Sequence, residues 1–394
     1  MTNLQPAYRR PTRGRAIVWG ILARYPFGGV TWQALHHLAG LRRLGFDVWY
    51  VEDSDSALSH PTTHLLTLDP ADNVAYLARQ MARVGLADRW AVRIPGSMEL
   101  LCPPGTPPLA ELYASADLVL NVCGAQELLP HHEGIRHLAY LETDPVADQV
   151  RIASGDVERR QIFDRYDALF TYGENIGQPD CLVPPTGHRW LTTRPPVCID
   201  WWQTDTKPRM ALTTVANWRH EGNDVCWQGH VWRWSKHIEF QRIIDLPGRA
   251  RLPLEIALGL AKPSEEKEFR EHGWRIVSSI VDPDEYMAYI RQSAGEFTVA
   301  KEQYVAPRSG WFSDRSACYL AAGRPVVTQD TGFGKYVPTG DGLFAYATLD
   351  EAAAAIDAIA SNYEHHRGAA REVAREYFDV EVLLRRMLEP MELL

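Results

Sequence analysis

A chain of 394 residues, 45% hydrophobic and 23% charged, has the composition of a folded protein and is long enough for two cores of ordinary domain size. Its formal net charge of −9 argues against broad attraction to nucleic acid or an anionic membrane, so any phosphate it binds must meet a few placed cations. No run approaches the roughly 18 to 20 apolar residues that span a bilayer, and the first residues lack the apolar segment of a secretion signal, so a cytoplasmic chain with no integral membrane segment is expected.

The opening Arg9, Arg10, Arg13 and Arg15 read as a short solvated arm. Residues 15–22 are the first predicted strand, Pro26-Phe27-Gly28-Gly29-Val30 a tight turn, residues 31–44 a helix and residues 45–52 the next strand. Apolar runs over residues 117–122, 135–141 and 167–172 predict further strands, and the helical stretches between strands point to βαβ units and a parallel sheet. Prolines at 184, 185, 195 and 196 break regular structure, which puts a domain boundary at about residues 195–208. A second series of strands is expected over residues 211–216, 254–260, 274–279, 296–300 and 325–328, with helices over 349–361, 367–376 and 380–393 closing the chain. The fold class is therefore α/β, with one unit over residues 1–200 and a second over 205–377.

Six cysteines show no C-x-x-C pair, which argues against a zinc ribbon or a dithiol redox motif. The adjacent pairs His36-His37, His131-His132 and His365-His366 are expected to point apart, as neighbours on a helix do, and so to be poor metal clamps. No metal is expected. Seven of the thirteen tryptophans fall between Trp190 and Trp234, around the expected cleft, where packing is the favoured role.

The densest motif runs from Ser309 to Gly332: a loop, a short helix whose first turn carries Ser313 and Asp314, a stop at Gly323-Arg324-Pro325, a β-branched run over Val326-Val327-Thr328, then a glycine turn. That order sets a helix N-terminus and a glycine turn at one end of a parallel sheet, where backbone N–H groups can face an anion. It resembles the nucleotide-sugar half of GT-B-fold glycosyltransferases, and the Gly-Gly-Val turn between the first strand and helix resembles their first βαβ unit.

The resemblance implies two Rossmann-like domains facing each other across a cleft, with the last helix, about residues 378–394, crossing back to the first domain. It implies a metal-independent hexosyltransferase with a nucleoside-diphosphate sugar as co-substrate, no other cofactor, and a small-molecule acceptor hydroxyl or amine in place of nucleic acid; a homodimer stays open. Arg219 and Lys236 are the expected diphosphate cations, Asp314 reaches a ribose or sugar hydroxyl, and Thr331, Gly332, Phe333 and Gly334 form the donor phosphate loop. Phe27, Gly28 and Gly29 form a loop toward the acceptor and phosphate. Asp144 is the candidate base, with Glu142 beside it, in the loop after a sheet strand. The glutamate pair of the retaining enzymes would fall on Gly310 and Cys318, which leaves the stereochemical course open and keeps two rivals in view: a nucleotide-sugar 2-epimerase of the same fold, and a nucleotide-sugar-binding protein without catalysis.

Overall fold

The computed structural model describes residue 4 and residues 12–97, 99–220 and 222–394; Arg9 and Arg10 lie outside the described residues. The first half of the chain supplies strands β1 (Arg15–Trp19), β2 (Asp47–Glu52), β3 (Leu58–Ser59), β4 (Leu66–Thr67), β5 (Trp90–Arg93), β6 (Leu100–Leu101), β7 (Ala116–Val122), β8 (Leu138–Glu142), β9 (Ala168–Thr171) and β10 (Trp190–Thr192). Eight of them form one sheet in the order β10-β9-β8-β7-β1-β2-β5-β6, parallel throughout except at β5 and β6. The second half supplies β11 (Arg209–Asn217), β12 (Val225–Trp227), β13 (His230–Trp232), β14 (Leu254–Gly259), β15 (Arg275–Ser278), β16 (Ser293–Thr298), β17 (Val326–Gln329) and β18 (Leu343–Tyr346). Its six-stranded sheet is parallel, in the order β15-β14-β11-β16-β17-β18.

The strands are buried on both faces, as the near-continuous apolar runs of a helix-covered parallel sheet require. In each sheet the first strand, β1 or β11, lies in the interior, and the chain crosses to the other side of it as it proceeds. Ligands bind at such a reversal, beyond the carboxyl ends of the strands. Between β10 and β11 lies a short helix, Ile199–Trp202, packed by buried Trp201 and Trp202. Among the described residues no helix is long and apolar enough to cross a membrane.

One apolar core runs through both halves, taking in Trp32 and Leu35 from the first and Cys318, Tyr319 and Leu320 from the second. The last helix, Val380–Leu388, returns to it. Asp379 caps that helix by accepting from the amides of Glu381 and Val382, and Val380, Leu383, Leu384, Met387 and Leu388 are buried, each worth roughly 1.5–3 kcal/mol of transfer free energy. It lies so close to the Gly28–Arg43 helix that a Cβ on Gly40 would sit 2.3 Å from Val380 Cγ2. The chain end thus crosses back to the first half, as expected.

Arg13 and Arg15 are not a free arm. Arg13 Nε donates to the carbonyl of Leu44 at 2.9 Å, and Arg15 pairs with Asp47 at 3.0 Å. The turn expected over residues 26–30 also differs: the helix begins at Gly28, with Phe27 extended at its N-cap. Gly28 and Gly29 therefore form the first helical turn.

Candidate functional site

A cavity of about 590 Å³ opens between the halves. Phe27, Gly28 and Gly29 form its first-half wall, with His64. The facing wall is built from the carboxyl end of β11 at Asn217, the ends of β14 and β15, and the side chains of Lys236, Tyr286 and Arg315. No side chain caps the Gly28–Arg43 helix and its first turn carries no acidic residue. The leading amides of a 16-residue helix, with the positive end of its dipole, are thus presented to the cavity.

Lys236 sits opposite, only 8% exposed, and among the described residues no hydrogen bond or ion pair holds its ammonium. Burial, and then the neighbouring Arg315, push its pKa well below the ordinary lysine value. Glu296 and Asp144 act on it only through space, and a buried ammonium with no ion-pair partner in contact is a costly arrangement that an anionic ligand would relieve. Arg315 is different: Glu296, the Val215 carbonyl and Thr298 already hold its guanidinium, so it is a fixed wall beside Lys236. His220, on the same wall, is held down to about 4 by burial and by Lys301 and Lys236, and is neutral at pH 7.

A second cavity, about 280 Å³, adjoins the first and shares Gly29, Tyr286 and Arg315 with it. Asp144, Asp314, Gln33, His36 and Thr143 face it. Asp144 reaches across to the other half, accepting from Lys301 Nζ at 2.8 Å and from the Tyr304 hydroxyl. Burial alone would raise its pKa, but Lys301 and Tyr304 outweigh it and hold the carboxyl below the usual range. Lys301 and Tyr304 thus make Asp144 a clasp between the halves, an ion-paired carboxylate where a free base was expected.

Glu142 is likewise displaced from its expected role. It is 2% exposed, lines neither cavity, and accepts from Gln149 Nε2 at 2.9 and 2.8 Å and from Thr171; burial and Asp148 push it up to about 8. Arg219 does not line the cavity: it donates from Nε and Nη2 to Glu265 at 2.9 and 2.7 Å. The glycine loop at 331–334 lines neither cavity, because protein already fills the space before it. Thr331 Oγ1 donates to the Trp311 carbonyl at 2.6 Å, Gly332 N–H to Asp330 at 2.8 Å, and Phe333 packs on Phe312. Gly332 faces Asn175 of the first half, and Lys335, after Gly334, bonds Asn175 at 3.1 Å. That loop joins the halves. Asp314 does reach the cleft, and the preceding Ser313 occupies the N-cap of its helix without a side-chain capping bond.

Sequence reasoning passed over Arg315, Tyr286, His220 and Asn217. Arg315 stood inside the motif beside Asp314, whereas nothing local marks Tyr286, which arrives from another helix. Of the adjacent histidines, His36 and His37 point apart as expected, His36 to the Cys198 amide and Trp202 and His37 to the Gln33 carbonyl, whereas the other two pairs converge. His131 and His132 occupy a 3₁₀ turn and both direct Nε2 at Asp53 Oδ2, at 2.8 and 3.2 Å, while Arg93 holds its other oxygen. His365 and His366 converge on Asp341 at 2.8 and 3.7 Å. The Trp190–Trp234 group does pack: none of the seven lines either cavity.

No family model and no curated protein matches this chain. Solved structures do. One is an alpha-glucosyltransferase in complex with UDP and a 13-mer DNA, at 10% identity and a TM-score of 0.59 over 97% of this chain and all of that one. HepE of Anabaena, solved with UDP and glucose, gives 12% identity and a TM-score of 0.55 over 96% of this chain and 100% of that one. AviGT4, a glycosyltransferase involved in avilamycin A biosynthesis, gives 12% and 0.53 over 96% and 97%. The chain has the GT-B fold, two Rossmann-like halves about a cleft, that these glycosyltransferases share.

Proposed function

We propose that the protein is a metal-independent glycosyltransferase that holds a nucleoside-diphosphate sugar in the 590 Å³ cavity and moves its hexosyl group to a small-molecule acceptor. The observation that carries this reading is Lys236: a buried, unpaired ammonium facing the uncapped N-terminus of the Gly28–Arg43 helix across an open cleft. Together they complement two phosphates, and they stabilise the charge that builds on the departing diphosphate as the glycosidic bond breaks. The solved structures of like fold, bound to UDP or UDP-glucose, support a ligand of this class. A small acceptor is preferred to DNA because a net charge of −9 opposes a polyphosphate backbone. The test is thermal stabilisation by uridine and thymidine diphosphates and their sugars. Wild-type protein should respond to at least one and Lys236→Ala should respond less; indifference of the wild type to the whole set would remove the proposal.

A further inference from the structure

The 280 Å³ cavity opens onto the first where Gly29, Tyr286 and Arg315 belong to both walls, so a group in it can meet a sugar whose diphosphate lies at Lys236. Its wall carries two carboxyl groups of unequal standing. Asp144 is neutralised by Lys301. Asp314 has no ion pair among the described residues: the adjacent Arg315 is held by Glu296, and Asp314's stabilising side-chain contact is with Gln33. The other titratable groups around it, Asp144, Cys123, Cys318, Tyr172 and His36, supply no cation, for burial keeps His36 neutral and the cysteine and tyrosine protonated.

We propose that this second cavity is the acceptor chamber and that Asp314 is the catalytic residue that takes the proton from an acceptor hydroxyl. The assignment rests on the donor reading above. Burial, with Asp144 adding to it, lifts the Asp314 carboxyl to about 7, close to where a general base works best. In the step, the acceptor oxygen bonds to the anomeric carbon of the sugar. The bond from that carbon to the phosphate oxygen breaks, with its electron pair leaving on the diphosphate, and the acceptor's proton passes to an Asp314 oxygen. A chamber of this volume, with the polar edges of Gln33 and Thr143 beside the carboxyls, suits a single hydroxylated unit about the size of a monosaccharide.

The sign of the stability effect separates this role from a structural one. A carboxyl whose folded-state value lies near 7, against about 3.9 unfolded, loses stability for the fold as pH rises through that window. Asp314→Asn should therefore melt higher than wild type at pH 8.5 and level with it near pH 4. In parallel, UDP release from UDP-glucose, with water or methyl glucoside as acceptor, should fall on the order of a hundredfold or more in Asp314→Asn. It should recover in part in Asp314→Glu, while the thermal response to UDP stays within twofold of wild type. Release within threefold of wild type, or a lower melting point at every pH, would overturn the assignment. Should wild-type protein respond to none of the uridine and thymidine diphosphates and their sugars, the donor reading fails instead, and the melting comparison still decides whether Asp314 is an unneutralised chamber carboxyl or a structural cap.

Discussion

Two glycine turns in this chain look alike on paper, Phe27-Gly28-Gly29 and Thr331-Gly332-Phe333-Gly334, and the fold treats them oppositely. The first begins a 16-residue helix with no cap and faces an open cavity. The second has its hydroxyl on Trp311, its amide on Asp330, and Asn175 of the other half against it. Both bring backbone to the boundary between the halves. Only the first leaves amides for a ligand, so a glycine turn becomes an anion site through what is left unbonded around it.

The largest expected effect comes from the cation opposite the open turn. Lys236→Ala should weaken nucleoside-diphosphate binding by about tenfold to a hundredfold, the range for losing one contact to a charged group. The fold should not suffer, because the variant also removes a buried, unpaired ammonium. Titration calorimetry with the best-binding nucleotide, alongside a melting curve, checks both. A variant that binds as wild type does would break the contrast between the turns, since the open one would then have no counterpart across the cleft.

The glycines themselves sharpen the contrast. A Cβ on Gly28 would sit 2.9 Å from Tyr286 Cβ, so Gly28→Ala pushes the two cavity walls apart and should weaken nucleotide binding severalfold with a modest change in melting point. Gly332 has φ near +96°, and a Cβ there would press on Asn175 Nδ2 at 3.2 Å. Gly332→Ala should cost about 1–3 kcal/mol of stability and leave nucleotide affinity, corrected for the folded fraction, unchanged. Denaturant melts and calorimetry on the pair would refute the division if the losses came out reversed.

A smaller effect is expected in the pH dependence. Burial holds Lys236 well below the ordinary lysine pKa, and a bound diphosphate favours its charged form, so binding takes up a proton and strengthens as pH falls below the ordinary lysine range. Calorimetry in buffers of different ionisation enthalpy reads that uptake directly. Lys236→Ala should abolish it; uptake that persists in the variant would assign the proton to another group.

The fold was legible because the signals that encode it are local. Val326-Val327-Thr328 after Gly323 could only be a buried strand after a helix stop, and Gly323 indeed takes φ near +66° just past the helix end. The site was legible only in part, because its chemistry depends on which polar groups lack partners, and partners come from afar. Glu142 and Asp144 stand two residues apart in one strand-loop, yet one is buried against Gln149 and the other reaches Lys301, 157 residues away. Likewise the divergence expected of adjacent histidines fails where a carboxylate arrives from elsewhere in the chain: His131-His132 in a 3₁₀ turn both meet Asp53, brought from the end of β2, and His365-His366 within a helix both meet Asp341.

Arg219 makes the smallest prediction and the cleanest control. Its sequence position, two residues beyond β11, is as favourable for phosphate as any in the chain, and a guanidinium suits phosphate oxygens. Its geometry is not favourable: Glu265 holds it on a partly exposed face, with the guanidinium side chain 44% accessible. An exposed pair of this kind contributes about 0–1 kcal/mol to stability. Arg219→Ala should thus change nucleotide affinity by less than twofold and melting by a degree or two. A loss as large as that of Lys236→Ala would mean that the side chain swings into the cleft when donor binds, and that an exposed ion pair such as Arg219–Glu265 does not remove a cation from the site.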